Sequence, residues 1–216
     1  MPHPLHSVTG PRELPIRART LAPHQIVAAL EGRLTQLRYP VVDEIPDRGR
    51  LEALADGHGW DVFVDGQGAP RWMTTIRPPL GVPGAKHWIQ EPYARGKADD
   101  GRLYYRASHE GPAFEDLRYS WRSSRQMPRQ ASRLLIEVRE IRLGRLSDMR
   151  EEDVVAEGIL SERESRTLKP LAYAQEDWEW RFGRNYPWKS NTLTWIIRVD
   201  CLATPAANNV VRHIRS

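Results

Sequence analysis

"SRLLIEVREIRLGRLSDMREEDVVAEGI", residues 132–159, joins the plainest strand in the chain to its plainest helix. Leu134, Ile136 and Val138 alternate with Leu135, Glu137 and Arg139, the two-residue rhythm of a half-buried strand. Beyond Leu146 the rhythm lengthens. Val154, Val155 and Ile159 give a helix one apolar side, and Gly158 lies near its end. Ser147 or Asp148 is placed to cap that helix, with Glu151 positioned to complete a capping box with Asp148. Glu151, Glu152 and Asp153 suit a solvated first turn, where the helix dipole favours negative charge. Glu157 differs, because its place beside Gly158 lets it turn toward a cleft.

Moving toward the N-terminus, "PHQIVAALEGR" predicts a short helix with Ile26, Val27, Ala29 and Leu30 on one side, stopped at Gly32. "LTQLRYPVV" follows as a strand, and "ELPIRARTLAP" precedes the helix as another, apolar at Leu14, Ile16 and Ala18. Residues 43–78 are irregular and read as an insert of one or two hairpins, with Asp56-Gly57 and Asp65-Gly66 turns bracketing "WDVFV". A turn at Pro83-Gly84 leads into a strand around Trp88, and "GRLYYRAS" gives a short one. The tryptophan-rich stretch from Asp177 closes in a strand at Thr194 to Leu202. Residues 1–11 read as a loose arm, 12–203 as a single domain, and 204–216 as a tail. This order predicts an α+β domain with a mixed sheet curled into a barrel, and lacks the helix–strand alternation of a doubly wound nucleotide-binding fold.

The 216 residues are 40% hydrophobic and 28% charged, enough for a real core. No apolar run approaches the roughly 18 residues that span a bilayer. The opening "MPHPLHSVTGPRELP" has no charged region followed by an apolar stretch, so the expectation is a cytoplasmic protein without a membrane partner. A lone Cys201 supports neither a disulfide nor a cysteine zinc cage, and the seven histidines lack HxH or HExxH spacing, so no metal is expected. "GHG" and "GQG" are turns rather than phosphate loops, and no cofactor is expected.

The net charge is +4, and 28 of the 32 basic residues are arginine, which suits bidentate phosphate contacts as well as GC-rich coding. In "RYSWRSSRQMPRQASR", Arg118, Arg122, Arg125, Arg129 and Arg133 occur without an acidic residue, interleaved with Tyr119 and Trp121. Such a strip can attract phosphates while aromatic faces stack on unpaired bases. Pro128 breaks any helix drawn through it, leaving a basic loop whose plain alternative is a solvated face.

Four blocks taken together resemble the ASCH domain family of the PUA-like superfamily, particularly its phage- and prophage-encoded members. They are "HQIVAALEGRLTQLR" (24–38), "PLGVPGAKHWIQEPYA" (79–94), "MPRQASRLLIEVREIRLGRLSDMREEDVVAEGI" (127–159), and Trp188 with "TWIIRVDCL" (194–202). The resemblance implies a small mixed β-barrel with flanking helices, and a cleft beside the first helix that binds RNA or a nucleoside. Some small members are amidohydrolases of N4-acetylcytidine that use a Lys, a Thr and a Glu. Here the Lys position falls on Leu34 and the Thr position on Leu37, while Glu157 matches the acid and Glu91 remains in the second block.

Period two places Thr35, Leu37 and Tyr39 on the cleft face of the strand, with Gln36 and Arg38 opposite. Without amine or hydroxyl the acyl-transfer chemistry is lost. Stacking on Tyr39 remains available, with Glu157 or Glu91 accepting from a base edge and Arg38 adjacent. The favoured expectation is therefore a non-catalytic module for RNA, single-stranded nucleic acid or a modified nucleoside. One alternative is an amidohydrolase or ribonuclease rearranged around Glu157, Glu91, Thr35 and Arg38. The other is a phage-assembly or host-interaction scaffold that meets a protein partner through the insert and tails.

Overall fold

The strand read at residues 134–138 is the longest in the molecule and organises its main sheet. The structure, a computed structural model, describes residues 15–42, 45, 49–54, 58–65, 70–95, 103–108 and 120–206. The first strand, β1 (Arg17–Thr20), leads into helix α1 (Pro23–Leu30) and then β2 (Gln36–Pro40). Next come β3 (Gly49–Ala53), β4 (Trp60–Asp65), β5 (Pro70–Ile76), β6 (Lys86–Gln90), β7 (Tyr93–Arg95) and β8 (Leu103–Tyr105). The long β9 (Leu134–Arg145) precedes α2 (Glu151–Ala156), α3 (Glu162–Ser165), α4 (Pro170–Phe182) and β10 (Leu193–Ala203).

The main sheet has the order β1-β6-β9-β10-β2, parallel only between β1 and β6. A meander β3-β4-β5 and a hairpin β7-β8 form two smaller sheets. The architecture is thus mixed α+β. The expected closure into a barrel is not found among the described residues, because β1 and β2 pair on one side only and remain sheet edges. The hairpin reading of the insert matches the meander, although Asp56, Gly57 and Gly66 of its turns lie outside the described residues. So do residues 1–14 and 207–216, which include the whole N-terminal arm and most of the tail.

The main core joins α1, β2, the meander and the long strands, while β7–β8 and α2–α4 carry smaller clusters of their own. Leu34 and Leu37 meet Ile26, Ala28 and Ala29 of α1, Val62 and Ile76 of the meander, and Ile136, Val138, Trp195, Ile197 and Val199 of the long strands. On α1 the buried positions are Gln25, Ile26, Ala28 and Ala29, one step away from the expected stripe. Gly32 and Gly158 both hold φ +72°, so each ends its helix in the left-handed region that glycine adopts without penalty. A Cβ on Gly158 would stand 2.5 Å from the Ala28 Cβ, so α2 can end against α1 only with glycine there.

Helix α2 begins later than the capping pattern suggested. Leu146–Asp148 forms a separate 3-10 turn, in which Asp148 accepts from the Arg145 N–H. The α2 terminus is closed instead by Asp153, whose carboxylate accepts from the Arg150 N–H at 3.0 Å. No helix among the described residues is long and apolar enough to cross a membrane.

Candidate functional site

Strand β2 pairs with β10, matching Leu37 with Ile197 and Arg38 with Ile196. Its alternation therefore sends Leu37 into the apolar core and Gln36 and Arg38 to the opposite face. That opposite face is where Glu157 lies. Arg38 Nε donates to Glu157 Oε1 at 2.8 Å, and Gln36 Nε2 donates to the same oxygen at 3.1 Å. Gln36 also reaches Asp153 Oδ1 at 3.0 Å, while Arg38 Nη2 stands 3.2 Å from Asp153 Oδ2. Arg38 Nη1 contacts the Thr194 hydroxyl at 3.4 Å.

This corrects the expected cleft face: the polar cluster faces Gln36 and Arg38, and Leu34 and Leu37 fill core at 2% and 1% exposure. Thr35 is exposed, and its backbone joins the sheet to α2 through a hydrogen bond from its N–H to the Ala156 carbonyl at 2.9 Å. Tyr39 is half-buried on the core side, with its ring edge against Phe182 at 6.3 Å between centroids. Burial pushes its hydroxyl above the ordinary phenol value.

Helix α4, unread in the sequence, completes the neighbourhood. It buries Pro170, Ala174 and Trp178 on one side, a four-residue spacing hidden among charged and aromatic neighbours. Asp177 on α4 binds Arg181 at 2.8 Å and approaches His24 Nε2 of α1 at 3.5 Å. Burial lowers the His24 pKa. The field of Arg181 reaches His24, Tyr39 and Glu157 alike, so α1, β2, α2 and α4 share one electrostatic site. Asp177 and Arg181 are the residues sequence reasoning missed, and their only signal was an i,i+4 acid–arginine pair.

The site is incompletely paired. Glu157 Oε2 and Gln25 Nε2 are buried without a hydrogen-bond partner among the described residues, while Arg38 Nη2 has its ion-pair contact with Asp153. Burial raises the Glu157 pKa, against the opposing pull of Arg38, Gln36 and Arg181. The Gln25 side chain turns back to the start of α1, where its Oε1 accepts from the Ala22 N–H at 3.2 Å.

Glu91 and Arg133 form a second buried pair. Arg133 donates twice to the Glu91 carboxylate, at 2.8 and 2.7 Å, and once to the Ser108 hydroxyl at 2.7 Å. Its guanidinium also lies 4.1 Å from the Tyr105 ring centroid. Carboxylate and guanidinium satisfy each other, so both leave the expected binding set, and Arg133, buried at 2% exposure, does not belong to the exposed strip. Of that strip, Arg122, Arg125 and Arg129 are exposed and Trp121 is half-buried. Arg125 and Arg129 sit on two 3-10 turns, Ser124–Gln126 and Arg129–Ala131, and the Arg122 backbone bridges to Tyr93. Arg118 lies outside the described residues.

Cys201 gives its thiol to the Leu34 carbonyl at 3.4 Å, and burial pushes its pKa up to about 11. Among the described residues no group of three or more His, Cys, Asp or Glu is placed to hold a metal. Comparison of the chain with protein-family models, curated proteins and solved structures found no match.

Proposed function

We propose that this chain is a non-catalytic module, of the ASCH and PUA-like kind, that binds RNA, single-stranded nucleic acid or a modified nucleoside. The observation carrying the reading is Glu157 Oε2, a buried carboxylate oxygen without a hydrogen-bond partner among the described residues, at the position where the resemblance puts the acid. A buried polar atom left unpaired costs about 1–3 kcal/mol, so a ligand edge supplying a donor there gains that much. Glu157 accepts from an exocyclic or ring N–H of the base. Arg122, Arg125 and Arg129 supply exposed positive charge for a phosphate backbone.

Leu34 and Leu37 argue against hydrolysis. A core leucine provides neither an amine to activate nor a hydroxyl to attack.

Titrating labelled RNA and single-stranded DNA across salt concentrations, beside free nucleosides, tests the proposal. Affinity should fall as salt rises, and Glu157→Gln should weaken nucleoside binding while the protein stays folded. A protein that binds none of these ligands overturns it.

A further inference from the structure

The meander serves neither of the surfaces described above. Its strands register in rows: Arg50 opposite Phe63 opposite Trp72, then Glu52 opposite Asp61 opposite Thr75. Val62 and Ile76 turn the other way into the core, with Leu51 against them, so the first two rows face outward. Phe63 is half-buried, and Trp72 is 56% exposed.

An indole so exposed would ordinarily be free to change rotamer. Here its Nε1–H donates to Asp61 Oδ1 at 3.2 Å, and the same oxygen accepts from the Thr75 hydroxyl at 2.5 Å. Trp72 is therefore a fixed aromatic face. The Arg50 guanidinium stands 5.6 Å from the neighbouring Phe63 centroid.

The β4–β5 register slips between Val62 and Phe63, which makes Met73 the extra residue of a bulge. Bulges re-aim side chains and are common beside functional sites. Val64, Arg71, Trp72 and Met73 line a shallow depression at this place.

We propose that the depression and the Trp72 face hold one base–phosphate unit of single-stranded nucleic acid, with the base stacked on Trp72 and the phosphate drawn to Arg71. The ligand class rests on the function proposed above, but the site is separate from Glu157 and from the arginine strip. Charge favours this occupant: the described lining carries a cation and no acid. Of the outward-facing acids whose side chains are described, Glu52 is engaged with Arg50 at 2.8 Å and Asp61 with Trp72 and Thr75. Size argues the same way. The exposed large apolar groups of the meander are Trp72 and Met73 alone among the described residues, a patch matching one base. A stable protein interface would need about 800 Å² from each partner.

The test is fluorescence anisotropy of a short labelled oligouridylate with the full chain at several salt concentrations. It compares Trp72→Ala, Trp72→Phe, Arg71→Ala, and a triple change of Arg122, Arg125 and Arg129 to Ala. Trp72→Ala should weaken binding at least about fivefold without changing the salt slope, while Trp72→Phe keeps most of the affinity. Arg71→Ala should flatten the salt slope by about 0.7, the share of one phosphate on a single strand. An unchanged melting temperature in Trp72→Ala separates lost stacking from lost folding.

Wild-type affinity in Trp72→Ala overturns this site, and if the triple variant then loses binding the arginine strip stands without it. A wild-type chain that binds no oligonucleotide overturns both this site and the function proposed above. A Trp72→Ala chain with unchanged oligonucleotide affinity but a smaller sedimentation coefficient overturns it in favour of a protein contact.

Discussion

Arg38 on β2 and Glu157 at the end of α2 meet at 2.8 Å where neither side chain is more than 1% exposed. A charge pair in such a place is held by its geometry, because each ion has given up its water. Removing one partner leaves the other buried and uncompensated. Arg38→Ala should therefore lower the unfolding free energy by about 3–5 kcal/mol. Glu157→Gln, which leaves a carbonyl able to accept from Arg38, should cost less. Urea denaturation of both variants checks the order, and a Glu157→Gln protein less stable than Arg38→Ala would contradict it.

Leu34 and Leu37 hold the positions at which the resemblance to ASCH amidohydrolases leads one to expect Lys and Thr, and both are packed in the core. Restoring the reactive residues should damage the fold without restoring chemistry. Leu37→Thr removes buried apolar contacts, at a cost of about 2–5 kcal/mol by analogy with truncated core leucines. Leu34→Lys places an amine where no solvent reaches. The double variant should melt earlier than the parent and release no acetate from N4-acetylcytidine. Turnover by that variant would show that the two leucines face a usable cleft.

The main elements were legible in the sequence, and their mutual coverage was not. Alternation in β9 and the Gly stops of α1 and α2 depend on neighbours within a few residues, so local pattern found them. The face of β2 was misjudged for a different reason. A period-two pattern assumes one wet side, yet α2 covers Gln36 and Arg38, and both faces of the strand are buried. Polar residues there look solvated until their partners 117 and 119 positions away are known. The same separation hid the Glu91–Arg133 pair, 42 residues apart. Helix α4 escaped because its buried stripe is only Pro170, Ala174 and Trp178, too thin against its charged residues to mark a helix.

His87 on β6 supplies a pH response. It is 3% exposed, and its Nε2 lies 2.8 Å from the Leu80 carbonyl. Burial lowers its pKa below 6.5, with the charge of Arg19 pressing in the same direction and the backbone contacts with Leu80 and Arg17 opposing. A histidine whose pKa is lower in the folded state stabilises above its unfolded value, and that contribution is lost as pH falls through the folded value. Unfolding free energy should thus decline on acidification below about 6.5, with a slope of at most about 1.4 kcal/mol per pH unit from this group. His87→Gln should remove that part of the decline. Glu157, whose pKa is raised, acts in the opposite sense: its contribution is present at low pH and is lost as pH rises through the folded value. Urea titrations at a series of pH values for parent, His87→Gln and Glu157→Gln separate the two.

Gly32 and Gly158 end their helices with the same φ of +72° but in different surroundings. A Cβ on Gly32 would meet nothing within 4 Å, whereas one on Gly158 would lie 2.5 Å from the Ala28 Cβ and 3.5 Å from Leu34 Cδ1. Gly32→Ala then reports backbone strain alone, about 1–2 kcal/mol for a left-handed residue. Gly158→Ala adds a collision between α2 and α1, because Ala28 is fully buried and has no flexible end to move aside. Relief requires α2 to shift, and Glu157 would shift with it away from Arg38 and Gln36. Gly158→Ala should accordingly lower stability by more than Gly32→Ala and weaken ligand binding at the Glu157 site, while Gly32→Ala leaves binding intact. Thermal melts and nucleoside titrations of the two variants measure both effects, and equal losses would mean that the contact with Ala28 does not position the site.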